Sequence, residues 1–206
     1  MNHPYREILM VLTTAAGKFI FMDWLNLKLP FILATMIGWS VYVYWACKND
    51  HQVLMKWGFR TDNFGSVLKR IQWFGVAALI GCVGLGLIRH SINLTWHIVP
   101  ILLFYPVWGT IQQFLCVGLV AGNLQQMRAH DITTIVTTSV LFALLHYPNL
   151  WLMGGTFLLA IIYAHTYLRE RNLYVLGIFH GWLGAIFYYS VVGRDPFAEV
   201  FGGWMK

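Results

Sequence analysis

Seven apolar runs, at about residues 7–25, 29–47, 71–88, 98–122, 132–147, 150–168 and 173–192, consume most of this 206-residue chain. A spanning helix needs about 20 apolar residues. Hydrocarbon offers backbone N–H and C=O groups no partners outside the segment itself, so such runs fold as helices. The pattern therefore predicts an all-α, polytopic transmembrane helical bundle of about seven helices. Hydrophobic residues make up 58% of the chain and charged residues only 11%, far from the balance of a soluble domain. A single integral-membrane domain over residues 1–206 is expected.

The breaks between runs organise the bundle. Tyr147-Pro148-Asn149 interrupts two runs with a residue that cannot continue a helix, which predicts a tight helical hairpin. The only long connection, 48–70, reads as a surface loop or short interfacial helix. The first run carries Lys18 and Asp23, so it either lies in the interface or spans with both charges snorkelling. Glu7 ahead of it and the lack of a small-residue cleavage site argue for a retained segment rather than a signal peptide.

If all seven runs span from a cytoplasmic N-terminus, the inside segments hold Arg6, Lys48, Lys56, Arg60, Lys69, Arg70, Arg128, Arg169 and Arg171, and the outside holds Lys28, Arg89, Arg194 and Lys206. That bias supports the orientation. The net charge of +6 is scattered among loops, with no basic stripe of the kind nucleic acid requires. It fits membrane lipid as the partner. Cys47, Cys82 and Cys116 form no paired motif and read as small buried side chains.

Polar residues inside a bilayer are costly and mark functional positions by default. Gln112 and Gln113 stand side by side near the middle of the fourth run, followed by His146, His165 and His180 on later ones. Amides and imidazoles also bridge helices as simple polar glue, and His165, without a partner pattern, reads as a packing residue. Gly177 and Gly181, extended by Gly184, form a small-residue face suited to close helix contact.

The order of these residues carries more than each alone. Q-Q-F-L-C-V-G, S-V-L-F-A-L-L-H and G-I-F-H-G-W-L-G resemble the three motifs of the CAAX protease and bacteriocin-processing (CPBP, or Abi) family, E-E-x-x-x-R-G, F-x-x-x-H and H-x-x-x-N. The likeness runs over about 57–190 and is strongest over 98–187, with a four-helix catalytic core at about 98–192. It implies an intramembrane endopeptidase whose glutamate activates water beside one histidine, while a second histidine and an asparagine stabilise the oxyanion. The implied catalytic positions are Gln112, Gln113, His146 and His180, with Phe142 and Gly184 beside the substrate. The implied substrate is a membrane-associated protein or peptide, and the implied location a bacterial inner membrane. Amides replace both glutamates here, Val117 replaces the arginine and Gly184 the asparagine.

A glutamine amide has no titrating group near neutrality, and loss of a general base typically costs about 10² to 10⁴ in rate. Of the eight acidic residues, all read as lying at helix ends or in loops, with Asp23 the nearest to a spare. Three chemistries follow. A neutral histidine acts as base while the glutamines orient water and the oxyanion; or a metal binds His146 and His180, for which glutamine is a poor third ligand; or the cavity binds without cutting, as a chaperone, immunity factor or regulator would. No resident metal or soluble cofactor is expected. A transporter would call for inverted repeats of broken helices, and none is visible.

Overall fold

The computed structural model describes residues 4–201. Helix α1, Pro4–Gly17, runs on into a π-helical turn, Lys18–Trp24. Then come α2, Lys28–Asn49; α3, Val53–Trp57; α4, Phe64–Ile88; α5, Ile98–Gln126; α6, Asp131–Leu144; α7, Leu150–Arg169; α8, Leu173–Val192; and α9, Pro196–Phe201. All seven apolar runs are helical. Five helices, α2, α4, α5, α7 and α8, are long and apolar enough to cross a membrane, which makes this a multi-pass membrane architecture. The first run and α6 fall outside that set, so the expected seven helices comprise five full-length candidate spans and two shorter or more polar segments.

Apolar side chains clothe the outside. Ile80, Leu103, Phe104 and Leu158 are exposed, as they must be where the surrounding solvent is lipid. Contact inside depends instead on small residues. A methyl group at Gly181 would lie 2.5 Å from the backbone nitrogen of Pro106, and one at Gly109 would lie 2.5 Å from the carbonyl oxygen of Gly177. The backbones of α5 and α8 therefore meet through Gly109, Gly177 and Gly181, as small-residue faces do in bilayers. Gly184 departs from the expectation: nothing lies within 4 Å of its Cβ position, so it faces open space, and Ala185, fully buried, continues the packed face.

Polar caps fasten the two ends. At one end Arg70 pairs with Glu170. Beside them Arg171 donates to Lys56 O at 2.9 Å and Gln125 Oε1 at 2.8 Å, and Asn172 donates to Arg60 O at 2.9 Å and Asn63 Oδ1 at 2.7 Å. The connections around 48–70, 123–131 and 168–172 thus gather at that end. At the other end the Asp195 carboxylate accepts from Thr95 Oγ1 at 2.7 Å, Tyr189 OH at 3.0 Å and the backbone N–H groups of Phe197 and Ala198, and pairs with His97 Nδ1 at 2.6 Å. This clips the 89–97 loop to the end of α8 and to the start of α9.

The N-terminal helix also differs from expectation. Glu7, Val11 and Ala15 share its inward face, and Glu7 is only 3% exposed. Its carboxylate accepts from the Tyr42 hydroxyl and from Asn123 Nδ2, the latter at 2.6 Å. An acid that reads as a helix-end charge is therefore a buried strut joining α1, α2 and α5. It sits far from Gln112 and Gln113, because Asn123 is about 15 Å farther along α5 at 1.5 Å per residue.

Candidate functional site

Gln112 and Gln113 fall near the midpoint of α5, where the helix is irregular on both sides. Pro106 interrupts the preceding turn, with Thr110 Oγ1 bonding back to Pro106 O at 2.7 Å, and the π-helical stretch Phe114–Ala121 follows at once. Local π geometry is uncommon and gathers at functional positions. The two neighbouring amides point in different directions, as consecutive residues of a helix do. The Gln112 Oε1 atom lies 2.8 Å from His180 Nε2. Gln113 is fully buried, and neither of its amide atoms has a hydrogen-bond partner among the described residues.

His180 stands in the first half of α8 and is 6% exposed. Because Gln112 Oε1 accepts, Nε2 of His180 carries the proton and Nδ1 holds the lone pair. That Nδ1 is buried without a protein partner. His146 lies just past the end of α6, in the turn to α7, whose first amides are capped by Asn149 Oδ1. Its Nδ1 lies 2.8 Å from Phe142 O. A carbonyl can only accept, so Nδ1 is the protonated nitrogen and Nε2 is left as the basic one.

Phe142 joins the two imidazoles. Its ring, almost fully buried, lies 5.1 Å from that of His146 and 5.2 Å from that of His180, centroid to centroid. The two histidines therefore stand within the sum of those distances of one another. Gln112, Phe142, His146 and His180 form one cluster. Gln113 lies on the adjoining buried face, and Gly184 lies on α8 one turn beyond His180.

A cavity of about 290 Å³ opens between α4, α7 and α8, bordered by Phe74, Leu85, Thr156, His180, Gly184 and Val191. Its walls are apolar apart from Thr156, His180 and Cys82. An apolar chain suits such a space. His165 lies elsewhere, exposed on the outer face of α7, so the packing role expected of it is not what the fold gives it. Among the described residues no three His, Cys, Asp or Glu side chains gather as a set of metal ligands.

The sequence missed one feature beside the cluster. Lys18 Nζ donates to Tyr147 O at 3.0 Å and to Asp23 Oδ2 at 2.6 Å, which places an ion pair from the N-terminal segment on the turn that carries His146. Two charges inside the first apolar run were the available signal. Their partner, more than a hundred residues away, had none.

Over residues 92–186 the chain matches the family described as Type II CAAX prenyl endopeptidase Rce1-like. That stretch contains Gln112, Gln113, Phe142, His146, His180 and Gly184, and excludes Glu7, Lys18 and Asp23. Neither a curated protein nor a solved structure matches the chain.

Proposed function

We propose that this chain is an intramembrane endopeptidase of the CPBP type that uses histidine in place of the family's glutamate. The observation that carries this reading is the tautomer of His146. With Nδ1–H held by Phe142 O, Nε2 carries the lone pair that would take a proton from water. The Gln112 amide, held through its oxygen by His180 Nε2–H, serves the developing oxyanion, since its N–H donors stabilise charge that grows as the carbonyl becomes tetrahedral. The 290 Å³ apolar cavity beside His180 receives the hydrocarbon part of a membrane-anchored substrate.

A second reading, a relative that binds a peptide or lipid without cutting it, is favoured by the amides at Gln112 and Gln113, where the resembled family has glutamates. Replacing Gln112 by Glu separates the two. In the catalytic reading the wild type cleaves, and a carboxylate beside His180 alters the rate and its pH profile. In the binding reading the wild type is silent, and Gln112→Glu gains cleavage that still needs both histidines. Gly184→Asn can accompany it, because the Cβ position is open. Val117→Arg cannot be added lightly, because Val117 is fully buried and an unpaired guanidinium there is strongly destabilising.

A further inference from the structure

The apolar cavity beside His180 runs from Phe74 to Leu85 on α4 and from His180 to Val191 on α8. Each stretch advances about 16 Å at 1.5 Å per residue, close to half of a hydrocarbon core of about 30 Å. Leu85, Leu152 and Val191, which border one end of it, all stand near the end of the bundle that carries the 89–97 loop. The cavity is therefore about one leaflet deep, from that membrane face to the level of His180.

Its lipid-facing side is open. Helix α8 packs against α4 where Gly86 meets Ser190 O, and against α7 where Gly155 meets the Phe187 ring, whereas the backbones of α4 and α7 hardly approach one another. Side chains join those two helices only beyond the cavity's ends. At the deep end the rings of Phe74 and Tyr163 meet edge to face at 6.4 Å. At the membrane face the Arg89 guanidinium lies 4.0 Å over the Trp151 ring. Between them Leu158 borders the cavity and is exposed.

The contact at the face leaves an anion site. Stacking on an indole uses the face of a guanidinium, while its five N–H donors lie around the edge. Among the described residues none of those donors has an acceptor, and no carboxylate pairs with Arg89. Arg89 is exposed and lies one turn past Leu85, and Trp151 directly precedes Leu152, so the pair stands at the mouth of the cavity. The free edge matches two oxygens of a phosphate. With no carboxylate paired there, an ammonium-bearing headgroup gains no partner of its own.

We propose that the cavity is a binding site for an anionic phospholipid, whose phosphate sits on Arg89 and one of whose acyl chains lies between α4, α7 and α8. The second chain stays in the bilayer, passing out through the open side. The inference goes beyond the peptidase reading and stands whether or not the chain cuts. Where it does cut, the lipid competes with the hydrocarbon part of the substrate for the same space.

The test is photo-crosslinking of the full-length protein in maltoside micelles, titrated with three probes that carry the same diazirine-labelled oleoyl chain: phosphatidylglycerol, phosphatidylcholine and dioleoylglycerol. Phosphatidylglycerol should label the α4 and α7 segments that border the cavity, at an apparent Kd about 10- to 100-fold below that of dioleoylglycerol, the factor of a charge-assisted hydrogen bond. Phosphatidylcholine should bind more weakly than phosphatidylglycerol. Arg89→Gln, at an exposed position that leaves packing untouched, should bring all three probes to the affinity of dioleoylglycerol. Gly81 borders the cavity, and nothing lies within 4 Å of its Cβ position. Gly81→Leu should therefore fill the space and abolish labelling of these segments while Arg89 is intact. Equal affinity for phosphatidylglycerol and dioleoylglycerol would make the cavity a site for any apolar chain and overturn the proposal. So would equal affinity for phosphatidylcholine, a preference that survives Arg89→Gln, or labelling only outside α4 and α7. Because binding is read without cleavage, a protein that never cuts but shows the preference refutes the peptidase reading and leaves the lipid site standing.

Discussion

His180 and Gln112, on different helices and 68 residues apart in sequence, meet at 2.8 Å, imidazole Nε2 to amide Oε1. His180 is buried and Gln112 half-buried, so the loss of the pair is felt by the fold. Gln112→Leu leaves the His180 N–H without an acceptor, at a cost of about 1–3 kcal/mol. Denaturant unfolding in detergent should show that loss for Gln112→Leu. A Gln112→Leu protein as stable as wild type would mean that the pair contributes nothing to the fold.

Small residues on α8 are expected to divide sharply by position. Gly181→Ala drives a methyl group into the backbone of Tyr105 and Pro106, and overpacking of this kind typically costs about 1–3 kcal/mol or more. Gly184→Ala meets open space and should leave stability unchanged. Thermal unfolding of the two variants side by side checks this, and equal destabilisation would show that α8 packs in a different register.

Acid should release the clip at the end of α8. Burial alone would push the Asp195 carboxyl up, but hydrogen bonds from His97, Thr95, the Ala198 N–H and Tyr189 hold it down to about 2. An unfolded aspartate titrates near 3.9, so the folded value is the lower one. Its contribution is then complete above about pH 4 and is lost as pH falls through about 2. Unfolding followed between those values should steepen in wild type and flatten in Asp195→Asn; identical acid limbs would remove Asp195 from the account.

Labelling should find the connections at 48–70, 123–131 and 168–172 on one side of the membrane, and the Lys and Arg count makes that side cytoplasmic. Cysteines at the exposed positions Lys69 and Arg169 should react with an impermeant reagent only from the cytoplasmic face, and one at Arg194 only from the opposite face. Reaction of Lys69→Cys and Arg169→Cys from different faces would overturn the topology.

The helices were legible in sequence because apolar runs and charge breaks are local signals. Gln112, His146 and His180 stood out because a polar group in hydrocarbon is conspicuous by itself. Long-range partners leave no such trace. Glu7 reads as an end charge until Tyr42 and Asn123 are brought to it, and Lys18 reads as a snorkelling side chain until Tyr147 arrives. Gly184 leaves the small-residue packing face for a geometric reason. It lies three residues after Gly181, within reach of the same face, but Ala185 at the fourth position continues the contact with α5, which turns Gly184 toward the cavity.

The central claim, peptide hydrolysis with His146 as base, is tested most directly by cleavage of a membrane-anchored peptide reporter in liposomes containing purified wild type, His146→Ala or the His146→Ala, His180→Ala double variant. The account predicts that wild type cuts and that His146→Ala slows the reaction by about 10² to 10⁴, the usual worth of a general base, while the protein still folds, since among the described residues the His146 side chain hydrogen-bonds within its own turn. Cleavage by the double variant at the wild-type rate, or no cleavage by wild type at all, would contradict it.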